Sequence, residues 1–306
     1  MSKKLKKNRN YNGYIALLWI LYLIPISVLL IVFTAAATGR LGEMPSIEQL
    51  ENPKTNLATS IYSSDGIVLG KFYLNDNRTP IDFSQLPKNI VDALIATEDE
   101  RFYSHSGIDF KGTLRAIFYL GEKGGASTIT QQLARQLFVG IRSRNKIQAI
   151  IQKVKEWVLA VKLERRFTKN EIIAMYLNIY DFGYQADGIE SAAKIYFNKK
   201  PSDLLLEESA TLVGMLKNSS LYNPRRRPEL TTDRRNIVFN QMFRNGLLSN
   251  NEIDSLRQLP LIIKFTPDSH REGLATYFRA YIQNFMQKWV KENPKQDGEK
   301  YDIYRD

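Results

Sequence analysis

The longest apolar run in the chain, YIALLWILYLIPISVLLIVFTAAA from Tyr14 to Ala37, sits in a stretch that carries no charge from Asn10 to Gly39. As a helix at about 1.5 Å per residue it reaches roughly 36 Å, enough to cross the hydrocarbon core of a bilayer. Pro25 lies inside it, which intramembrane helices tolerate. The segment TAAATG offers small residues for signal cleavage, but the run exceeds an ordinary signal core of about 7–15 residues, so the reading is an uncleaved anchor. Beyond it, LGEMPSIEQLENPKTN is polar and holds two prolines, as a linker would. LATSIYSSDGIVLGKFYLNDN alternates β-favouring residues around Asp65-Gly66 and predicts a hairpin, the only clear strand pair. From Leu86 to about Leu256 helical periods dominate: Ile90 to Ala96, Ile129 to Phe138, Ile147 to Leu163, Lys169 to Ile179, Gly188 to Phe197, Leu204 to Leu216 and Arg234 to Phe243. The tail from His270 predicts an amphipathic helix, a polar loop and a short strand-like end at YDIYRD. The fold class expected is mainly α, divided into a basic tail (1–13), a transmembrane helix (14–37), a linker (38–56), a main domain (57–245) and a C-terminal linker segment (246–306).

Composition narrows the chemistry. The 306 residues, 43% hydrophobic and 25% charged, are those of a folded protein. With no cysteine there is no disulfide, thiolate metal site or cysteine nucleophile. The two histidines, His105 and His270, with no HExxH pattern, do not make a histidine-rich metal centre. Lys3, Lys4, Lys6, Lys7 and Arg9 precede the apolar run and only Arg40 and Glu43 closely follow it, so the positive-inside rule leaves the N-terminus in the cytoplasm and the rest outside the inner membrane. That location argues against nucleic acid as the reason for the net charge of +11. Between Lys111 and Asn170 stand thirteen Lys or Arg against three acids, Glu122, Glu156 and Glu164. Beside a membrane such a stretch suits anionic headgroups or a phosphorylated substrate, or is a solvated basic face.

Four stretches carry candidate chemistry. In LIATEDERFYSHSGID a helical stripe of Ile90, Val91, Leu94 and Ile95 places Glu98 and Asp99 at a helix C-terminus, where the dipole disfavours anions. Glu98, Asp99, Glu100 and Arg101 are then either surface ion pairs or include a carboxylate placed for proton transfer. His105 reads as a buried hydrogen-bonding residue in a turn. In GGASTITQQLARQLF, Gly124 and Gly125 allow close backbone approach, and Ser127 or Thr128 caps a helix, with Gln131 completing a capping box. Thr128, Gln132 and Arg135 share a polar face opposite Ile129, Leu133 and Leu137, at a helix N-terminus able to receive phosphate. In QKVKEWVLAVKLERRF, an inward stripe of Ile147, Ile151, Val154, Val158 and Val161 leaves Glu156 nearly opposite, near Ala149, Ala160 and Leu163, with Lys153 as its neighbour. It is either a salt-bridged surface acid or a site residue. GMLKNSSLYNPRRRPE alone reads as a basic loop with Lys217.

In this order the stretches resemble the peptidoglycan glycosyltransferases of glycosyltransferase family 51, found as monofunctional enzymes and as the first domain of class A penicillin-binding proteins. The first motif is carried by Glu98, Asp99, Phe102, His105 and Gly107, and the second by Gly125, Ser127, Thr128, Ile129, Thr130, Gln131 and Gln132. The third, Arg-Lys-x-x-Glu, is matched at Lys153 and Glu156, with Gln152 where Arg is usual. The resemblance covers about residues 57–245. It implies a lysozyme-like, two-lobed glycosyltransferase domain with a membrane-contacting smaller lobe, polymerising lipid II with inversion and release of undecaprenyl pyrophosphate. It also implies that Glu98 is the general base, that Glu156 assists the leaving group directly or through a divalent cation (Mg or Mn), and that Asp99, Ser127, Thr128, Gln131, Gln132, Arg135, Lys153 and Lys217 bind substrate. No cofactor is otherwise required. The partners it implies are lipid II, the nascent strand, the membrane and other cell-wall synthesis proteins, and it places the enzyme among the targets of moenomycin.

Two alternatives stay open at this point: a lysozyme-like hydrolase or lytic transglycosylase, and a non-catalytic membrane-anchored scaffold. Ser143-x-x-Lys146 and Ser191-x-x-Lys194 match a transpeptidase pattern without the Lys-Thr-Gly or Lys-Ser-Gly element that would accompany it. The expectation is a truncated class A protein ahead of a monofunctional enzyme with an unusual tail.

Overall fold

The computed structural model describes residues 11–46, 49–50, 59–66, 68–72, 78–119, 125–267, 276–295 and 301. The expectations that rest on the first ten residues, on 51–58, on Gly124 and on the strand-like end at 302–306 lie outside them. Helix α1 (Asn12–Ala37) is the apolar run, long and apolar enough to cross a membrane by length and composition. Strands β1 (Thr59–Tyr62) and β2 (Val68–Phe72) pair antiparallel across the Asp65-Gly66 turn, with an irregularity between Ile61 and Tyr62. They form the only sheet among the described residues. The remainder is helical: α2 (Lys88–Glu98), α3 (Phe110–Phe118), α4 (Ile129–Ala134), α5 (Lys146–Glu164), α6 (Lys169–Ile179), α7 (Gly188–Phe197), α8 (Leu206–Met215), α9 (Pro228–Arg244), α10 (Asn250–Gln258) and α11 (Thr276–Glu292).

The core follows from the apolar stripes. Ile90 and Leu94 of α2, Leu212 and Val213 of α8, and Val238 and Phe239 of α9 are fully buried where these three helices meet. Ile129 and Leu133 of α4 pack with Leu159 and Leu163 of α5 and with Tyr176 and Leu177 of α6. Each such side chain contributes about 1.5–3 kcal/mol by leaving water. α6 begins in a complete capping box between Thr168 and Glu171.

Three expectations need correction. The helix expected from Ile129 to Phe138 is α-helical only to Ala134, and Arg135–Val139 widens into a π turn that ends at Gly140. Thr128 does cap it, accepting the Gln131 N–H at 3.1 Å, but the Gln131 amide is bonded elsewhere and the box stays half formed. The stripe of α5 is also turned: Ile147 is 71% exposed, while Glu156, Leu159, Ala160 and Leu163 are buried against α4 and α6. The buried face tolerates Glu156 because cations meet its carboxylate, as described below. The other face of α5 receives α1, where Phe33 and Trp157 rings stand 5.9 Å apart.

Gly107 shows how tightly the loop after α2 is seated. Its φ is +90°, and a Cβ there would lie 2.8 Å from the Ala160 carbonyl carbon on α5. Backbone cannot yield as a side-chain tip can, so Gly107→Ala is expected to cost about 2–4 kcal/mol, visible as a Tm lowered by several degrees. An unchanged Tm would show the loop to be loosely held.

Candidate active site

Helix α2 stops at Glu98 because Asp99 leaves the helical region, at φ −158° and ψ 74°. Its carboxylate turns inward instead. Oδ1 and Oδ2 lie 3.0 and 3.1 Å from His105 Nε2, and Oδ2 accepts the Ile129 N–H at 3.1 Å, at the start of α4. The Gly107 N–H donates to His105 Nδ1 at 3.2 Å, which makes Nε2 the protonated nitrogen that donates to Asp99. The Gly107 carbonyl in turn accepts from Thr128 Oγ1 at 2.8 Å and Gln131 Nε2 at 3.2 Å. The first two motifs are thereby sewn together. Asp99, Thr128 and Gln131 are buried, and their polar atoms are engaged in this stitching. Glu100 and Arg101 do form the surface pair, and Arg101 also holds Asp109. Burial works to raise the Asp109 carboxyl, but hydrogen bonds from Arg101 and the Gly112 N–H outweigh it and hold the group below its usual value.

Glu98 points the other way, into a cleft, with its side chain 15% exposed. One oxygen accepts from Gln132 Nε2 at 2.9 Å. The other stands 3.9 Å from Arg234 on α9, beyond hydrogen-bond reach, and keeps lone pairs for a reacting group. Gln132 is oriented by Tyr176 of α6, whose hydroxyl donates to Gln132 Oε1 at 2.9 Å. Full burial, and then the charge of Glu98, push the Tyr176 phenol well above its ordinary value, so it remains a donor. Tyr176→Phe is expected to lower turnover about three- to tenfold with little change in Tm, because the Gln132 amide is then free to turn. Turnover equal to the parent chain would show the amide to be held by other means.

Glu156, 2% exposed, is set back from the cleft. Its Oε2 meets Lys153 Nζ at 2.8 Å and its Oε1 meets Arg142 at 3.3 Å. Lys153 also donates to Ser127 Oγ and Gln131 Oε1, each at 2.9 Å. All three ammonium hydrogens are thus in use. An anion that engages Lys153 must displace Ser127 or Gln131. Burial, against the pull of Glu156, leaves this ammonium below the ordinary 10.5 of lysine.

The cleft consists of two adjoining cavities of about 310 and 390 Å³ that share Glu98, Ser127 and Gly125. The first is walled by Asp99, Thr128, Arg115, Arg244 and Asn245, and the second by Gln132, Arg135, Lys217 and Arg234. Of the candidate residues, Glu98, Asp99, Ser127, Thr128, Gln132, Arg135 and Lys217 therefore reach the cleft wall. Gln131, Lys153 and Glu156 form a layer behind Ser127. Tyr176, Arg234 and Arg142 are site side chains that no sequence motif marks. Nothing in their local sequence separates them from core or solvated residues.

The donor set does not fit a resident metal ion. Among the described residues no three His, Cys, Asp or Glu side chains converge, and Glu156 already has two cations on it.

A family model described as Transglycosylase matches residues 65–243. Penicillin-binding protein 1A of Escherichia coli (strain K12) is 34% identical over 269 residues, which is 86% of this chain and 30% of that protein. Penicillin-binding protein 1A of Vibrio cholerae is 35% identical, over 82% of this chain and 30% of that protein. The crystal structure of Penicillin-Binding Protein 1A from Haemophilus influenzae aligns at 22% identity and a TM-score of 0.41, covering 81% of this chain and 26% of the other. This chain spans about a third of the length of the curated relatives it matches.

Proposed function

This chain belongs to the transglycosylase family, and from that premise we propose that it is a peptidoglycan glycosyltransferase that polymerises lipid II. The observation that carries the reading is the place of Glu98, a carboxylate shared by two adjoining cavities and held by a Tyr176–Gln132 chain. One cavity takes the acceptor and the other the growing strand. Glu98 removes the proton of the acceptor 4-hydroxyl, and the oxygen attacks the anomeric carbon from the face opposite the lipid pyrophosphate. The new C–O bond forms as the old one breaks, the configuration inverts, and the electron pair departs with undecaprenyl pyrophosphate. Positive charge from Arg135 and Lys217 on the cleft wall, and from Lys153 behind Ser127, meets the pyrophosphate as its charge grows. No step is assigned to a metal ion.

The anchor supports a lipid-borne leaving group. The C-terminal part of α1 packs with Phe33 against Trp157 on α5, the helix that also carries Lys153 and Glu156. We read α1 as a single span, with the N-terminus in the cytoplasm and the cleft outside the inner membrane. The membrane, lipid II and the nascent strand are the partners this mechanism needs.

A hydrolase working with the same acid would cut what a transferase extends. Preformed glycan strands incubated with the protein should stay intact. Release of soluble disaccharide peptides would favour the hydrolytic alternative.

A further inference from the structure

Position 152 departs from the third motif, with glutamine where the pattern has arginine, and that glutamine has a specific task. Gln152 Oε1 accepts the Ser143 N–H at 2.7 Å and its Nε2 donates to the Ile141 carbonyl at 3.0 Å. The two bonds close on either side of Arg142. Ser143 Oγ adds a bond to Gln148 at 2.8 Å and receives the Asn145 N–H at 3.2 Å, and Asn145 caps α5 through the Ile147 N–H at 2.9 Å. The loop is thereby folded back along the first turns of α5. Ile141 is 95% exposed, so the hold on this loop is polar rather than apolar.

Held there, Arg142 reaches Glu156 Oε1 while Lys153 takes Oε2. Its side chain is 49% exposed against 2% for the carboxylate, so the guanidinium bridges the buried acid and the surface. It spends one of about five N–H groups on Glu156 and has the others for an anion, whereas Lys153 has none to spare. Arg142 and Arg135 both lie close enough to depress the Lys153 ammonium, so the three cations share one local field. From this arrangement, and resting on the transferase reading above, the geometry points to Arg142 as a further cation that meets the leaving pyrophosphate, beside those already named. Gln152 is the positioning residue that delivers it. The charge absent at position 152 is restored from the loop.

The test uses the full chain in detergent, with farnesyl pyrophosphate as a binding probe and lipid II as substrate. Arg142→Ala should weaken farnesyl pyrophosphate binding and slow polymerisation about tenfold. Gln152→Ala should cost about three- to tenfold in the parent chain and nothing further once Arg142 is gone. Adding Gln152→Arg to Arg142→Ala should recover most of the lost affinity, because an arginine then stands where the motif has one. A merely structural role for Gln152 predicts neither result. Arg142→Ala binding the probe as tightly as the parent overturns the inference, and so does an equal cost of Gln152→Ala with and without Arg142. A parent chain that binds no farnesyl pyrophosphate overturns it as well. If the parent binds the probe and Arg142→Ala does not, but no polymer forms from lipid II, the transferase reading falls and the Arg142 contact stands.

Discussion

Glu98→Gln is expected to reduce glycan polymerisation by at least about a thousandfold while leaving Tm within about a degree of the parent chain. The substitution keeps shape and contact: a glutamine carbonyl can still accept the bond that Gln132 Nε2 now gives to the carboxylate. Arg234 is too far to depend on the charge for its own seating, being bonded to the Gly214 carbonyl and lying over the Tyr222 ring. What is lost is a group able to accept a proton, and in a displacement by a sugar hydroxyl that loss falls on the transition state alone. Lipid II affinity should therefore stay within about threefold of the parent while turnover vanishes. Turnover and affinity falling together would instead make Glu98 a binding residue.

Lys153→Ala should weaken lipid II binding about a hundredfold and cost about 1–3 kcal/mol of stability. The ammonium joins Ser127, Gln131 and Glu156, and without it the buried carboxylate is left to Arg142 alone. Lys153→Arg restores charge but not three bonds from one nitrogen, so it should recover stability better than affinity. The pH dependence carries a sign. Burial holds this ammonium below 10.5, so it loses its proton at lower pH than a free lysine. Anion binding through it therefore weakens as pH rises, starting below 10.5. A titration of lipid II affinity should show that alkaline loss in the parent and its absence in Lys153→Ala. Equal affinities for the two chains at neutral pH would remove Lys153 from the site.

Acids at the end of an apolar helix oppose its dipole, which singled out Glu98 and its neighbours but left ion pair and proton transfer both open, and the residues alone left Glu156 as either a salt-bridged acid or a site residue. The hairpin and helices α6 and α7 followed from turn chemistry and period alone. The inward stripe of α5 did not, since both of its faces are apolar and only tertiary packing on α4 and α6 decides between them. Helix α3 escaped because Phe110, Leu114 and Phe118 face outward and belong to no core, although their spacing is helical. Helix α10 is polar, and its one signal in the sequence is the capping box from Ser249 to Glu252 rather than an apolar period. Pro228 at the first turn of α9 could likewise have moved that helix start back from Arg234. Tyr176 and Arg234 were hidden for another reason: they meet Gln132 and Glu98 across 44 and well over a hundred residues of chain, and single-sequence periodicity reports no such contact.

The central claim, that this cleft extends glycan strands, is tested most directly by incubating the detergent-solubilised chain with labelled lipid II, with and without moenomycin, and resolving the products by length. The account predicts a ladder of strands that moenomycin suppresses, with undecaprenyl pyrophosphate released as they grow. Lipid II left unextended by a folded chain that binds it would contradict the account and leave a scaffold in its place.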